Sequence, residues 1–136
     1  MADTPAEPEG YEVRVSAGTL LVRDDAFFVV PHVWTETGVA VEGGTSGAHL
    51  LHTAVATCVL NDTFREAKAL GLVVDGVTVR ASGGFDADWV STGVTYTLGL
   101  DSPEDELALA ELRARVDEVA EVPKAVRAGA AVTSHG

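Results

Sequence analysis

The chain has 136 residues, the length of a single domain, and 46% of them are hydrophobic, which is enough to form a core. It has 9 Lys and Arg against 21 Asp and Glu, so its net charge is −12. This charge argues against binding to nucleic acid or to an anionic membrane, because both need a dense cationic patch. The single cysteine excludes an intramolecular disulfide and any cysteine-based zinc cluster.

The N-terminal residues 1–10 are acidic and rich in proline, unlike the basic and apolar start of a signal peptide. We interpret them as a disordered acidic tail, followed by one domain over residues 11–136. No apolar run reaches the length of a membrane span, so we expect a cytoplasmic protein.

Three strands are predicted near the N-terminus. Residues 11–16 alternate between apolar and polar side chains, as in a half-buried strand. After a turn, residues 19–23 are predicted to return as the second strand of a hairpin. Residues 26–30 are a β-branched and aromatic run that predicts a third strand. Residues 31–44 are expected to form a loop or an irregular edge.

A long helix is predicted over residues 46–70. Thr45 or Ser46 can cap its N-terminus, and Gly71 ends it. The first half is apolar on almost every side, which predicts burial, and the second half is amphipathic and is expected to reach water.

Further strands are predicted at residues 73–74 with 77–82 and at residues 93–101, with a bend or bulge at Gly83-Gly84. Antiparallel strands with few helices indicate an α+β fold.

Ser102 is expected to cap the next helix, which Pro123 ends. Residues 124–128 predict one more helical turn, and residues 130–133 predict a short closing strand. The main elements therefore follow the order β-β-β-α-β-β-α-β.

Cys58 lies in the middle of the long predicted helix. It is either a core residue that behaves as a small hydrophobe or a nucleophilic thiol. A helix dipole lowers a thiol pKa only near the helix N-terminus, so a thiolate here would need a positive neighbour from elsewhere. Its neighbours on the same helix face are Leu51, Ala54, Val55, Asn61, Asp62 and Arg65.

Two charged residues on that face act in opposite directions. Asp62 would raise the pKa of the thiol, whereas Arg65 would lower it by folding back towards the sulfur. The alternative for Arg65 is an ion pair with Asp62 or Glu66, the usual arrangement of charges on a helix surface.

His49 and His52 are three residues apart, so their rings can share a helix face. No clear third ligand accompanies them, and no metal site is predicted. They are interpreted as hydrogen-bonded structural residues or as polar anchors in a pocket. His49 lies about 180° and His52 about 120° around the helix from Cys58, which disfavours a Cys–His dyad. Trp34 and Trp89 either cover the core or form the wall of an apolar pocket.

Three segments together resemble the OsmC/Ohr family: residues 44–58, from a glycine-threonine turn to Cys58, residues 76–79, and residues 122–126. With the element order, the resemblance covers nearly all of residues 11–134. It implies an α+β fold made by two intertwined chains, with long central helices packed together and active sites at the dimer interface. The best-known members are thiol peroxidases that reduce organic hydroperoxides, and the resemblance implies no cofactor.

The family's functional residues carry over only in part. Cys58 matches the cysteine that attacks the peroxide. The family's active-site glutamate falls at Ala48, its activating arginine falls near Thr37 or Gly38, and its resolving cysteine falls at Val122. Without a second thiol, a sulfenic acid would need an external thiol as reductant.

The first hypothesis is a one-cysteine peroxidase in which Arg14 or Arg23, from the N-terminal strands, replaces the missing cation beside Cys58. The second keeps the dimer but uses its interface pocket to bind or transform an apolar small molecule. The polar groups and aromatic wall of that pocket would be His49, His52, Asn61, Asp62, Arg65 and Trp34. The third hypothesis is a dimeric binding or scaffold protein without catalysis.

Overall fold

The computed structural model describes residues 10–136, so the tail predicted over residues 1–10 lies outside it except for Gly10. The described elements are β1 (Val13–Gly18), β2 (Phe28–Val30), β3 (Val39–Glu42), α1 (Gly47–Leu70), β4 (Gly76–Phe85), β5 (Ser91–Asp101), α2 (Glu106–Val119) and α3 (Glu121–Ala128). The predicted α+β class is confirmed, with an antiparallel sheet and three helices in the described residues.

The five strands form one antiparallel sheet in the order β2-β3-β1-β4-β5. Val15 of β1 is paired with Val41 of β3 on one side and with Val79 of β4 on the other. These three fully buried valines point to the same face of the sheet, because side chains of paired residues share a face. The helix α1 packs on the sheet, and α2 and α3 pack against α1.

The helix α1 begins and ends where the sequence predicts. The hydroxyl of Ser46 accepts a hydrogen bond from the backbone N–H of His49, which caps the N-terminus. Gly71 has φ 72°, a left-handed conformation that glycine adopts without strain and that ends the helix. No helix among residues 10–136 is both long and apolar enough to cross a membrane.

The burial of α1 differs from the prediction. In its first half Leu50 is 47% exposed and Ala54 is also exposed, whereas Asp62 and Thr63 in the second half are fully buried. The second half is covered by α2 and the loop before β3, and the first half presents an apolar face to solvent within one chain.

Residues 19–23 do not form the predicted hairpin strand. Both edges of β1 are occupied by β3 and β4, so no position beside β1 is left for a local partner. The segment instead forms a turn, in which the N–H of Val22 donates to the Ser16 hydroxyl and that of Thr19 donates to the Asp75 carbonyl.

The prediction of a loop over residues 31–44 is wrong for Val39–Glu42, which form β3 between β2 and β1. A strand of four residues carries too little periodic signal to be recognised, and its partners lie far away in sequence. The third predicted strand is shorter than expected and is limited to Phe28–Val30.

The predicted irregularity at Gly83-Gly84 is confirmed, because the pairing of β4 with β5 shifts register between Gly83 and Phe85. The prediction of strand structure at residues 73–74 is wrong, since β4 begins at Gly76. The residues just before β4 form a connecting segment, in which the N–H of Val73 donates a hydrogen bond to the Glu104 carboxylate.

The C-terminal helices also depart from the prediction. Asp105, not Ser102, caps α2 by accepting a hydrogen bond from the N–H of Ala108. The break falls at Ala120, and Pro123 lies inside the first turn of α3, where a proline fits because its missing N–H has no helical partner.

The closing strand predicted at residues 130–133 is wrong. Gly129 ends α3 in a left-handed conformation, and the residues after it are exposed and pair with no strand in the described part of the chain.

Candidate functional site

Cys58 is half-buried on α1, and its sulfur lies at the start of a different helix. The first turn of α3 lies beside the sulfur, since the Glu121 carboxylate is within 4.8 Å of it. The backbone of Val122 and Glu121 lowers the pKa of the thiol. No side chain caps this helix, and the sulfur lies at the end of the helix that favours negative charge.

Carboxylates oppose this effect. Burial raises the pKa of the Cys58 thiol, the N–H of Val122 lowers it, and the negative charges of Asp62 and Glu121 raise it. The combined result is a pKa above the ordinary value, so within one chain the thiol is protonated at neutral pH.

Asp62 joins the thiol to the neighbouring polar residues. Its side chain is fully buried, and the Cys58 thiol donates to its Oδ2 across 3.9 Å. Asn61 donates to Oδ1 at 3.2 Å, and Arg65 forms an ion pair with Oδ2 at 3.2 Å. Burial raises the pKa of the Asp62 carboxyl, while the contacts with Asn61 and Arg65 lower it.

Arg65 forms ion pairs on its own helix, which was the alternative to folding back towards the sulfur. It pairs with Asp62 and also donates to Glu66 at 3.0 Å. Glu66 accepts a further hydrogen bond from Arg115 of α2 at 2.5 Å. Arg65 therefore does not reach the sulfur directly, and it acts on Cys58 through Asp62.

The two histidines lie on other faces of α1. His49 is hydrogen-bonded through Nδ1 to the Ser46 hydroxyl at 2.6 Å, and His52 through Nδ1 to the Tyr11 carbonyl at 2.9 Å. Both rings are buried, and that of His49 packs edge-on against the Tyr11 ring. Neither histidine is hydrogen-bonded to Cys58 within the described residues, and their observed contacts are structural.

Trp34 lies in the segment between β2 and β3 and packs against the core. Lys68 of α1 holds its ammonium group 5.6 Å from the centre of the Trp34 ring, within the range of a cation–π contact. His32 in the same segment contacts the Phe64 ring edge-on and is hydrogen-bonded through Nδ1 to the Thr35 hydroxyl at 2.8 Å.

The two arginines predicted to activate the thiol lie elsewhere in the chain. Arg14 on β1 is paired with Glu42 on β3. Arg23 is exposed at the start of a turn, where its carbonyl accepts from Ala26. Within residues 10–136 of one chain, no hydrogen bond or ion pair joins either arginine to Cys58.

Cys58, Asp62 and Glu121 bring three potential metal ligands within 4.8 Å of one another. Arg65 already pairs with Oδ2 of Asp62, and the thiol donates to the same atom, so that oxygen is committed to donors. The cluster fits proton sharing better than metal binding, because a cation would have to displace the Arg65 guanidinium.

An apolar groove of about 420 Å³ lies between α1, β5 and α3. Val55, one turn before Cys58, forms one wall, and Pro123, next to Val122, forms another. Among residues 10–136, Arg127 is the one charged residue that lines it. The groove therefore offers apolar space about one helical turn along α1 from Cys58, although neither Cys58 nor any of the predicted substrate-binding residues lines it.

Cys58, Asn61, Asp62 and Arg65 lie next to one another, as their positions on one helix face predict. The sequence analysis did not predict that Glu121 and the first turn of α3 lie beside them. The only sequence signal for their position was the match of Val122 to the second cysteine of the OsmC/Ohr pattern, which implies proximity to Cys58.

Comparison with known proteins agrees with the fold. A family profile described as OsmC-like protein matches residues 40–135. A search of curated proteins found no significant match. The chain is similar to the crystal structure of an OsmC-like protein from Mycoplasma pneumoniae, with 13% identity and a TM-score of 0.58 over 88% of this chain and 89% of that one.

A second similar structure is an OsmC-like hydroperoxide resistance protein from Jannaschia sp. CCS1, with 14% identity and a TM-score of 0.49, covering 93% of this chain and 92% of that one. The profile match extends over more than half of the chain and includes α1 with Cys58. The chain therefore belongs to the OsmC-like protein family.

Proposed function

We propose that the protein is a one-cysteine thiol peroxidase that reduces organic hydroperoxides at Cys58. The observation that carries this proposal is the position of the Cys58 sulfur beside the first turn of α3, within 4.8 Å of the Glu121 carboxylate, where the backbone of Val122 and Glu121 lowers the pKa of the thiol. Such a position stabilises negative charge on sulfur, which the attack on a peroxide requires. Family membership supports the same assignment.

The reaction needs an external thiol. The Cys58 sulfur attacks one peroxide oxygen, the O–O bond breaks, an alcohol leaves and the cysteine becomes a sulfenic acid. Because Cys58 is the only cysteine, no intramolecular disulfide can follow. An external thiol would form a mixed disulfide, and a second thiol would release the reduced enzyme.

The apolar groove beside the site supports an organic substrate rather than hydrogen peroxide. It is lined mostly by apolar groups, among them Val55, Val94 and Val126, and can hold the hydrocarbon part of a hydroperoxide. Burying that part adds binding free energy that hydrogen peroxide cannot supply.

We further propose that the functional unit is a homodimer in which the α1 helices pack together. The exposed face of α1 is apolar at Leu50, Leu51 and Ala54, and Cys58 continues the same stripe. Covering this stripe with a second copy would place the thiol at the interface.

In such a dimer the missing cation would come from the partner chain. Arg14 is already engaged by Glu42, whereas Arg23 is exposed and forms no ion pair with the described residues. Arg23 is therefore the better candidate of the two for lowering the pKa of Cys58.

Intact-mass spectrometry after graded additions of cumene hydroperoxide, with a reagent that traps sulfenic acid, tests the function. We expect the wild type to trap one label at Cys58 at lower doses of cumene hydroperoxide than of hydrogen peroxide, and Cys58→Ser to trap none. A wild type that stays reduced at all doses would contradict the proposal.

A second candidate function is binding of an apolar small molecule without peroxidase activity. The observation in its favour is the protonated state of Cys58, since burial raises the pKa of its thiol and the negative charges of Asp62 and Glu121 raise it further. An apolar fluorescent probe that binds equally to wild type and Cys58→Ser, in a protein that peroxide does not oxidise, would favour this alternative.

A further inference from the structure

We propose that Asp62 carries the proton of the reaction: it accepts the Cys58 thiol proton as the sulfur attacks and returns it to the departing alkoxide. This inference rests on the proposed peroxidase function and deepens it. It lets a neutral thiol react where the family's activating arginine position holds no basic residue.

The contact between the two side chains is direct. The Cys58 thiol donates to Oδ2 of Asp62 across 3.9 Å, and the residues are one helical turn apart on α1. The Asp62 side chain has no exposed surface, so water does not compete for this proton.

The other contacts of Asp62 hold it as an acceptor. Asn61 donates to Oδ1 at 3.2 Å, and the Arg65 guanidinium lies 3.2 Å from Oδ2. With the thiol, three donors face one carboxylate and fix its orientation. Asn61 and Arg65 favour its ionised form, against burial and the Glu121 carboxylate, which raise its pKa. An ionised carboxylate is the form that can accept the thiol proton.

The charged groups around the pair come from two helices. On α1 they are Asp62 and Arg65, and from α3 the exposed Glu121 faces both Cys58 and Asp62. From the segment before β3, the titratable group on this side is His32, whose pKa burial lowers and Asn61 raises.

The step balances without a further reactant. The S–H bond breaks and its proton moves to Asp62, while the sulfur electron pair forms an S–O bond and the O–O bond breaks. The alkoxide then takes the proton from Asp62, so thiol and hydroperoxide become sulfenic acid and alcohol. Sulfur is oxidised by two electrons, and the peroxide is reduced by two.

This mechanism predicts an unusual pH profile. Oxidation of Cys58 stays level over the pH range between the pKa of Asp62 and that of the thiol, in which the carboxylate is ionised and the thiol is protonated. It falls in acid as pH drops through the pKa of Asp62, which burial raises above its ordinary value. In a mechanism that uses only the thiolate already present at equilibrium, the oxidation rate would instead rise continuously with pH towards the pKa of the thiol.

The test compares two reactions of Cys58 in wild type, Asp62→Asn and Glu121→Gln. One reaction is oxidation by cumene hydroperoxide, in which a proton must reach the leaving group. The other is alkylation by iodoacetamide, which reports only the thiolate fraction. Circular dichroism confirms that each variant is folded.

In Asp62→Asn, alkylation should become faster, because a negative charge beside the sulfur is removed. Oxidation should fall by about 100-fold at neutral pH, the lower end of the effect of a general base. Its pH profile should change to follow the thiolate fraction. Glu121→Gln removes a negative charge near the thiol but leaves the hydrogen bond from the thiol to Asp62 in place. Both reactions should therefore become faster.

Faster oxidation in Asp62→Asn would overturn the role of Asp62, because its charge would then merely suppress the thiolate. Undiminished oxidation would overturn it equally. A wild type that is never oxidised would overturn the peroxidase function itself, and the alkylation rates would still show whether Asp62 controls the thiol. The failure of the inference and that of the function are thus distinguishable.

Discussion

Cys58 lies in the middle of its own helix, yet its sulfur lies beside the first turn of another helix, at Glu121 and Val122. Burial raises the pKa of its thiol most, the backbone of Val122 and Glu121 lowers it, and the Asp62 and Glu121 carboxylates raise it further. The pKa is raised overall in one chain, and a proton acceptor or a cation from a partner is needed for rapid reaction.

Glu66 is the residue whose charge most clearly contributes to stability. Hydrogen bonds from Arg115 and Arg65 lower the pKa of its carboxyl below the unfolded value. The contribution is therefore present above the unfolded pKa and is lost as pH falls through the folded-state pKa. The size of this contribution is reduced by solvent screening, because the side chains of Arg65 and Arg115 are 40% and 48% exposed.

Glu66→Gln should lower the free energy of unfolding at neutral pH by about 1–2 kcal/mol, because two charge-assisted hydrogen bonds are weakened. Urea unfolding at neutral pH, and again below the folded-state pKa of Glu66, checks this, since the difference should disappear in acid. Glu36→Gln is the control and should change neither value, because Glu36 is exposed and forms no ion pair with the described residues. An equal loss at both pH values would contradict the ionic origin.

At the scale of the element, α1 is determined by its two ends. Ser46 caps the first turn, and Gly71 adopts φ 72° at the last. An added Cβ would meet no atom within 4 Å at either Gly47 or Gly71. Both sites have room for a methyl group, and the two glycines differ only in backbone conformation.

Gly71→Ala should lower the free energy of unfolding by about 1 kcal/mol, because alanine in the left-handed region is strained. Gly47→Ala is the matched variant at the start of the same helix, and it should raise stability by about 0.5 kcal/mol through helix propensity. Thermal and urea unfolding of the two variants measure this. Equal effects of the same sign would refute the explanation by conformation.

At the scale of the whole molecule, the apolar stripe of α1 is the surface that the proposed dimer would bury. Leu50 lies in this stripe at 47% exposure, and Leu107 on α2 is 84% exposed on another helix. The two leucines allow a matched comparison of an interface position with an ordinary surface position.

Leu50→Glu should convert the proposed dimer into a monomer, because a carboxylate would be buried against apolar side chains of the second copy. Leu107→Glu should leave the dimer intact. Native mass spectrometry and sedimentation velocity give the two masses directly. A monomeric wild type, or a Leu50→Glu variant that remains dimeric, would contradict this interface.

The elements with strong local signals were predicted well. The long α1, with Ser46 and Gly71 at its ends, and the alternating strands β4 and β5 follow from periodicity and capping within short windows of sequence. Residues 19–23 and Val39–Glu42 were predicted wrongly, because strand pairing with β1 is a choice among distant partners. No local sequence pattern predicts which segment pairs with β1 in the sheet.

By itself, the sequence determined that one thiol lies on a long helix, with Asn61, Asp62 and Arg65 on its face, and that no intramolecular disulfide can form. Only the tertiary structure decided what surrounds that thiol. The first turn of α3 meets Cys58 across more than 60 residues of chain, as a result of how α3 packs on α1. The pKa of the thiol depends on such through-space contacts, because electrostatic effects follow distance in the fold rather than distance along the chain.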